Sequence, residues 1–283
     1  MFERLCVIGV GFMGGSFALA FRESFPNCEI LGIDINAYAI DKAIQLGVVD
    51  KGSTQINSLS LFKPDLIMLA TPVGTFESIA KELSSLDLKD SLITDLGSVK
   101  GRLVYILEEY LGENFVGGHP IAGTEKSGVE YSNKDLFKGK RCILTPTQRT
   151  SPKALEKIKS IWTSLGALVE EMDPFLHDYV FGAVSHLPHA VAFALIDAIK
   201  HLSKDSLDLF KYPGGGFKDF TRIASSDPIM WRDIFLENRE NVLKAIEAFE
   251  ASLKNLKELI KSGNSQELTD YLRSAKNCRE KIS

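Results

Sequence analysis

Cysteine is scarce in this chain of 283 residues. The four cysteines are Cys6, Cys28, Cys142 and Cys278, and they are widely scattered. They show neither the paired spacing of a metal site nor the dense framework of a small disulfide-stabilised protein. We therefore expect no bound metal and a reducing, cytoplasmic environment.

The chain also lacks an excess of charge of one sign. Its 33 lysines and arginines are balanced by 37 acidic residues, which gives a net charge of -4. A nucleic-acid-binding surface would require a basic excess, so we expect no nucleic-acid partner. We find no uninterrupted apolar run of transmembrane length, and we expect no membrane partner either.

The N-terminal segment carries a glycine pattern, Gly9-Val10-Gly11-Phe12-Met13-Gly14, between a predicted strand over 3–9 and a predicted helix over 12–24. Gly9 permits a tight turn, Gly11 lets a pyrophosphate approach the backbone, and Gly14 lets the helix pack closely on the sheet. The context of strand, glycine turn and helix predicts a dinucleotide site that includes the backbone of Phe12 and Met13.

A second predicted strand ends in Asp34, twenty residues beyond Gly14. Its carboxylate would accept hydrogen bonds from the ribose hydroxyls and would repel a 2′-phosphate. The following Ile35 and Asn36 supply no compensating cation. We therefore predict NAD rather than NADP.

Strands and helices alternate as far as residue 172, which predicts a mostly parallel sheet covered on both faces. Beyond it we predict helices alone, including one over 175–200 kinked at Pro188 and one over 228–262 capped by Asp227. The apolar positions of the second helix fit either an intramolecular core or a subunit interface. They are Phe235, Val242, Ala245, Phe249, Leu253, Leu256 and Ile260.

Candidate catalytic groups follow the predicted strands. His119 lies in Gly117-Gly118-His119-Pro120, and Ser98 follows another strand. Because ligands bind beyond the carboxyl ends of parallel strands, these two side chains can converge, and Thr71 and Pro72 should line the same cleft. His119 could instead be an exposed loop residue. Ser98 could be a helix cap, and it could serve as both a cap and a site residue. For the nearby Asp95 we favour a structural turn carboxylate.

The helical half carries its own polar candidates. Ser185-His186-Leu187-Pro188-His189 has two imidazoles at metal-binding spacing, but the nearby His177 and Asp178 do not complete a ligand set. We expect His186 to be a packed helix residue. Arg222 could form a surface ion pair with Asp219 or a fork for a substrate carboxylate. Trp231 could be core or pocket wall.

Together these segments resemble the prephenate dehydrogenase (TyrA) family over nearly the whole chain. The resemblance rests on an ordered set of motifs: Gly9 to Gly14 with Ser16, Asp95 to Lys100, Gly118 to Gly123, Ser185 to His189, Phe220-Thr221-Arg222, Asp227-Pro228 and Trp231. It implies an α/β Rossmann-type dinucleotide-binding domain over 1–172 and an all-α dimerisation domain over 173–283. It implies a homodimer. We expect no chorismate mutase segment before residue 1 and little room for a regulatory domain after Ser283.

The resemblance also implies a reaction: oxidative decarboxylation of prephenate to 4-hydroxyphenylpyruvate with reduction of NAD, a step of tyrosine biosynthesis. His119 would contact the substrate hydroxyl as a neutral base, with Ser98 linking it to the nicotinamide end. Because an unperturbed histidine titrates near pH ~6.5, activity should fall in acid. The remaining substrate contacts that it implies are Arg222 as carboxylate anchor held by Asp219, His189 at the pyruvyl end, and Thr124, Glu125 and Trp231 at the mouth. Glu125 could pair with Arg222 in the empty site, and Trp231 could reach in from the other subunit.

Three alternatives remain open. Arogenate, which carries an amino group where prephenate has a keto group, is the closest, and some family members accept both. A β-hydroxyacid dehydrogenase would place a catalytic lysine where this chain has Ser185 to His189. A catalytically inactive redox sensor would have no need to retain His119, Ser98 and Arg222 together.

Overall fold

A computed structural model describes residues 2–203 and 207–282 of the chain. Its eight strands are Arg4–Ile8 (β1), Glu29–Ile33 (β2), Lys51–Ser53 (β3), Leu66–Leu69 (β4), Leu92–Asp95 (β5), Phe115–Pro120 (β6), Arg141–Thr145 (β7) and Leu168–Glu171 (β8). They form one sheet in the order β3-β2-β1-β4-β5-β6-β7-β8. All neighbouring pairs are parallel except β6 and β7, which are antiparallel. The predicted mostly parallel sheet is confirmed, although the short β3 was not anticipated.

Six helices accompany the sheet: Phe12–Ser24 (α1), Ala37–Gln45 (α2), Leu59–Phe62 (α3), Phe76–Ser84 (α4), Gly101–Leu111 (α5) and Pro152–Ser164 (α6). Successive residues of β1 alternate between two apolar clusters, because side chains of a strand point to opposite faces. Leu5 and Val7 belong to the cluster that contains Trp162 of α6, whereas Cys6 and Ile8 belong to the other. Both faces of the sheet are therefore covered by helices.

Beyond β8 the described residues form helices joined by loops. Its helices are Pro174–Phe181 (α7), Leu187–Leu202 (α8), Gly215–Thr221 (α9), Pro228–Glu237 (α10), Arg239–Ser262 (α11) and Ser265–Arg279 (α12). Trp231 and Ile234 of α10 join the apolar cluster on the second face of the sheet. The helical part therefore packs directly against the α/β part.

Two predicted helices differ in detail from the structure. The helix over 175–200 is interrupted by a π-helical segment at Gly182–His186, so its irregularity precedes Pro188. The prediction of a single helix over 228–262 is wrong, because the structure has two helices that are divided at Asn238. The Asn238 side chain is buried and donates to the carbonyl oxygen of Asp178 at 2.7 Å. The helix break at Asn238 thus coincides with a hydrogen bond that satisfies a buried polar side chain. The predicted cap is confirmed, since Asp227 accepts from the Met230 N–H.

Much of the apolar surface of the helical part is uncovered within one chain. On α11, Val242 is 4% exposed, but Phe249, Leu253 and Ile260 are 37%, 54% and 61% exposed. By length and composition alone, the run Pro174–Leu202 qualifies as a membrane span, so our expectation that no stretch does so is wrong by that criterion. A single helix of this kind also occurs in the cores and interfaces of water-soluble proteins and by itself does not indicate a membrane.

Candidate active site

The glycine turn lies between β1 and α1, beside the point where the strand order reverses between β1 and β4. Gly9 has φ +98°, and a Cβ there would lie 2.7 Å from the backbone of Ala70. A Cβ at Gly14 would collide with the carbonyl oxygen of Gly9, whereas a Cβ at Gly11 would meet no atom within 4 Å. Helix α1 begins at Phe12 without a side-chain cap. The turn thus leaves open space and free N–H groups of Phe12 and Met13 where a pyrophosphate would lie, which fits a dinucleotide.

Asp34 follows β2 at the same edge of the sheet. One of its carboxylate oxygens accepts from the Val10 N–H at 3.0 Å, and the other accepts from the Asn36 N–H at 2.9 Å. The glycine turn therefore holds this carboxylate in place, while each oxygen keeps a further lone pair for a ribose hydroxyl. The next residue, Ile35, is 96% exposed and offers an apolar surface beside it.

Thr71 and Pro72 follow β4, beside the glycine turn. The hydroxyl of Thr71 lies 2.7 Å from that of Thr75, which closes a short 3₁₀ turn over Val73–Thr75. Asp233 of α10 packs against Gly74 so closely that a Cβ on Gly74 would lie 2.7 Å from its carboxylate. The helical part therefore borders this side of the cleft.

Asp95 ends β5 and is fully buried. One oxygen accepts from the Gly118 N–H at 2.8 Å, and the other accepts from the Gly97 N–H at 3.0 Å. The second oxygen also forms an ion pair with the buried ammonium group of Lys100. As favoured from the sequence, Asp95 is a structural carboxylate. It holds the loop that carries Ser98 against the strand that carries His119.

Ser98 is half-buried, and its neighbours in the loop, Gly97 and Lys100, are both bound to Asp95. Helix α5 begins at Gly101 with Lys100 in the cap position, so Ser98 is not its cap. Within residues 2–203 and 207–282 the Ser98 hydroxyl makes no hydrogen bond, and the structure does not join it directly to His119. The side chain is thus available to a ligand at the carboxyl end of β5.

His119 lies on β6 and is 8% exposed, which excludes the exposed-loop interpretation. Its Nδ1 lies 2.8 Å from Nε2 of His177, and its ring packs edge-on against Phe181. Burial lowers the pKa of His119 well below its usual value, and the neighbouring His177, Lys100 and His186 lower it further. The imidazole is therefore neutral at physiological pH, as a proton acceptor must be.

The other ring nitrogen of His119, Nε2, takes no part in the contact with His177. Several buried side-chain atoms of the described residues lack a hydrogen-bond partner, among them His186 Nε2 and Trp231 Nε1. Among the described residues, His119 Nε2 has no hydrogen-bond partner, and it is not one of these buried atoms. This nitrogen is the atom that can meet a substrate hydroxyl.

His177 and Asp178 were missed from the sequence as site residues. Both lie on α7 and are buried, and His177 Nδ1 is 2.9 Å from Asp178 Oδ1. The same oxygen accepts from the Lys100 N–H at 2.7 Å, at the beginning of α5. Burial lowers the pKa of His177 to about 2 and raises that of Asp178 to about 6. The available signal was an adjacent His-Asp pair in an otherwise apolar helix, which implies buried polar groups that need partners.

His186 is a packed helix residue, as expected. It is fully buried, and the side-chain nitrogen of Asn238 lies 3.1 Å from its Nδ1. His189 is different, because its ring stacks on Trp231 with 3.7 Å between centroids. Trp231 belongs to the same chain and is buried there, so the stack needs no second subunit.

The state of His189 follows from two contacts. Its Nδ1 lies 2.9 Å from the carbonyl oxygen of Ser185, an acceptor, so Nδ1 carries a proton. Burial lowers the pKa of His189, and the charge of Arg222 lowers it further. At neutral pH the ring is therefore neutral, with the lone pair on Nε2.

Arg222 pairs with Glu125 rather than Asp219. Its Nη1 lies 2.7 Å from Glu125 Oε2, and no Arg222–Asp219 ion pair occurs in the described part of the chain. The expectation that Asp219 holds Arg222 is wrong in this conformation, whereas the expected pairing of Arg222 with Glu125 is confirmed. Asp219 is exposed on α9. Thr124 is also exposed, and its hydroxyl accepts from the Lys126 N–H.

The ion pair shows how the two parts of the chain meet. Glu125 follows His119 by six residues in the loop after β6, and Arg222 comes from the helical part. From the same helical part, His177 reaches His119 directly, and His186 packs against Trp231. His119 and Glu125 of the α/β part therefore meet His177 and Arg222 of the helical part. Among the described residues, no group of three or more His, Cys, Asp or Glu could hold a metal ion.

Comparisons with known proteins point to one family. A family model described as the nucleotide-binding domain of prephenate dehydrogenase matches residues 17–171, and one described as its dimerization domain matches residues 173–274. A prephenate dehydrogenase of Bacillus subtilis is 36% identical over 99% of this chain and 76% of its own length. A cyclohexadienyl dehydrogenase of Zymomonas mobilis is 32% identical over 99% of this chain and 96% of its own length.

A solved structure extends the similarity to the fold. Prephenate dehydrogenase from Aquifex aeolicus, in complex with hydroxyphenyl propionate and NAD+, is 59% identical with a TM-score of 0.96. The match covers 99% of this chain and 98% of that one. The chain therefore belongs to the prephenate dehydrogenase family of NAD-dependent oxidoreductases.

Proposed function

We propose that the chain oxidises and decarboxylates prephenate to 4-hydroxyphenylpyruvate, with NAD as the acceptor, in tyrosine biosynthesis. The observation that carries the proposal is the buried, neutral His119, whose Nε2 has no hydrogen-bond partner among the described residues. A cytoplasmic location is part of the proposal, supported by four unpaired cysteines.

The residues divide the work by their chemistry. The glycine turn, Asp34, Thr71 and Pro72 would hold NAD, which supplies the hydride acceptor when bound. His119 accepts the proton of the ring hydroxyl as the ring carbon loses its hydrogen as hydride, so that carbon does not build a full positive charge. The Ser98 hydroxyl would hydrogen-bond to the substrate hydroxyl and link it to the nicotinamide end of the cofactor.

Arg222 anchors a substrate carboxylate. In the free protein it is paired with Glu125, and both side chains are partly exposed. Exchanging one carboxylate partner for another costs little at such a site, because exposed ion pairs are weak. The substrate carboxylate can therefore replace Glu125, with Thr124 and Asp219 at the mouth and the stacked ring of Trp231 as its wall.

The same contacts leave arogenate as a second candidate. The relatives include a cyclohexadienyl dehydrogenase, and a solved arogenate dehydrogenase of Synechocystis is 26% identical with a TM-score of 0.80. The neutral His189 presents a lone pair on Nε2, which can accept from the ammonium group of arogenate. The keto group of prephenate can only accept a hydrogen bond. It could therefore bind His189 Nε2 only if that nitrogen carried a proton.

We further propose a homodimer built by the helical part over 173–283, with the α/β part over 1–172. The support is the uncovered apolar surface of α11 at Phe249, Leu253 and Ile260, together with the matched dimerization domain. Contiguous apolar surface of this kind is usually covered by a partner. A second copy would also cover apolar residues of the run Pro174–Leu202. The apolar character of that run would then be explained by a subunit interface rather than by a membrane.

The primary test is NADH formation on adding prephenate and NAD to the purified protein. His119→Asn should lower kcat by about 100- to 10,000-fold, the usual loss on removing a general base. Because the pKa of His119 is lowered, wild-type kcat should stay level as pH falls below the ordinary histidine range. Absorbance at the NADH band measures both. His201→Asn, at an exposed position, serves as the control. Wild-type turnover in His119→Asn would contradict the assignment.

The glycine turn predicts two different defects. Gly11→Ala adds a methyl group to open space, so the fold should be unaffected while NAD binding weakens about tenfold or more, or ≥1.4 kcal/mol. Gly14→Ala forces the methyl group against the Gly9 carbonyl, so the protein itself should be destabilised. Thermal unfolding and an NAD titration of both variants separate the two effects. Equal NAD affinity in Gly11→Ala and wild type would count against pyrophosphate at this turn.

His189 allows prephenate and arogenate to be distinguished by pH. If prephenate binding requires His189 to take up a proton, the KM for prephenate should rise with pH above the lowered pKa, by up to about tenfold per pH unit. The KM for arogenate should lack this rise, because the neutral ring already accepts. Steady-state kinetics from pH 5.5 to 8 with both substrates provide the test. In His189→Gln the rise with prephenate should disappear. Parallel pH profiles for the two substrates would refute this role of His189.

The dimer can be tested on α11. Leu253→Asp places a charge in the uncovered apolar surface and should convert the dimer to monomers. Lys254→Gln changes the net charge by the same amount at the adjacent exposed position and should remain dimeric. Sedimentation equilibrium measures the mass of each variant. A monomeric wild type, or a dimeric Leu253→Asp, would show that this surface is not the interface.

A further inference from the structure

The pair His177–Asp178 has no assigned role in the reaction, yet it contacts the proposed base directly. His119 Nδ1, His177 Nε2, His177 Nδ1 and Asp178 Oδ1 form a continuous line of contacts at 2.8 and 2.9 Å. All three side chains are 8% exposed or less. In a buried line of this kind each contact needs one donor and one acceptor, so the protons can be assigned in order.

The assignment starts from Asp178. Its Oδ1 already accepts a 2.7 Å hydrogen bond from the Lys100 N–H, so it acts as an acceptor toward His177 as well. A proton on His177 Nδ1 satisfies this contact, whereas a bare Nδ1 would place two lone pairs 2.9 Å apart. His177 therefore donates from Nδ1 to Asp178.

His177 carries one proton, because burial holds its pKa near 2 and keeps the ring neutral. With that proton on Nδ1, Nε2 is an acceptor, and the 2.8 Å contact with His119 requires a proton on His119 Nδ1. His119 is neutral too, so its Nε2 carries the lone pair. The remaining charged and titratable neighbours, Lys100 and His186, form no hydrogen bond with either ring nitrogen of His119 in the described part of the chain.

We propose that His177, oriented by Asp178, is a positioning residue that fixes the tautomer of His119 with its proton on Nδ1 and its lone pair on Nε2. A free neutral imidazole can place its proton on either nitrogen, and a proton on Nε2 would prevent His119 from accepting from a substrate hydroxyl. The His177–Asp178 pair removes this ambiguity before substrate binds. The catalytic consequence rests on the proposed function, but the tautomer itself does not.

The geometry around Asp178 supports a dedicated orienting role. Its carboxylate lies at the beginning of α5, where a Cβ on Gly101 would collide with Oδ2. Its carbonyl oxygen accepts from Asn238 at 2.7 Å, so backbone and side chain are both held. The ring of His177 packs on Phe181 with 4.5 Å between centroids, which limits its rotation.

The direct test is NMR of the ligand-free protein labelled with ¹⁵N-histidine. Long-range proton–nitrogen correlations distinguish a ring protonated on Nδ1 from one protonated on Nε2, and loss of one set of signals in His119→Asn assigns His119. We expect His119 to be protonated on Nδ1. A proton on Nε2, or a doubly protonated ring at pH 7, would overturn the proposal. This result is independent of turnover, so absence of activity toward prephenate would leave it standing.

Two substitutions test the catalytic consequence. His177→Gln keeps an acceptor that the side-chain oxygen can turn toward His119, so the Nδ1 proton and most of kcat should be retained. His177→Leu removes the acceptor, so the Nε2-protonated form should appear and kcat should fall at least about tenfold, with KM for both substrates little changed. His201→Gln is the control for labelling and activity. Wild-type kcat and an unchanged tautomer in a folded His177→Leu would overturn the role of His177, as would equal loss in His177→Gln and His177→Leu.

Discussion

The contact between Asp178 and the beginning of α5 connects the two parts of the molecule at its chemical centre. Asp178 comes from the first helix after the sheet, and the Lys100 N–H that it accepts follows directly on the loop of Ser98. A carboxylate at a helix N-terminus satisfies otherwise unpaired N–H groups and is favoured by the helix dipole. The contact brings the adjacent His177 against His119, so a packing interaction between two parts of the chain also determines the surroundings of the proposed base.

Much of the α/β part could be predicted from the sequence, because its signals are local. The buried strands are short apolar runs, and the glycine turn requires conformations and close approaches that particular residues permit. The expectation that Ser98 and His119 lie near each other needed one further rule, that parallel strands end at the same edge of a sheet. The structure adds a physical link that the rule does not supply, since Asp95 binds both the Gly97 and the Gly118 N–H groups.

The features that could not be predicted from the sequence depend on contacts between residues far apart in the chain. His177 is separated from His119 by 58 residues, and no local pattern pairs them. The break at Asn238 had the same cause, since its side chain bonds to Asp178 on another helix and thereby overrides a continuous apolar periodicity. Asp219 was the wrong choice for the residue that holds Arg222, whereas the pairing of Arg222 with Glu125 was expected from the resemblance. Asp219 is three residues away in sequence, whereas Glu125 arrives through the fold from the loop after β6.

Burial changes what the histidines of this site can do. An exposed imidazole near its usual pKa would be partly charged at neutral pH and would lose base strength in mild acid. Enclosing His119, His177 and His186 together disfavours the charged form of each, and their mutual proximity opposes a second charge. The cost is that a proton taken up by His119 enters a region of low polarity. That proton is therefore held weakly, while the neighbouring His177 and Asp178 are already hydrogen-bonded to each other and to the Lys100 N–H.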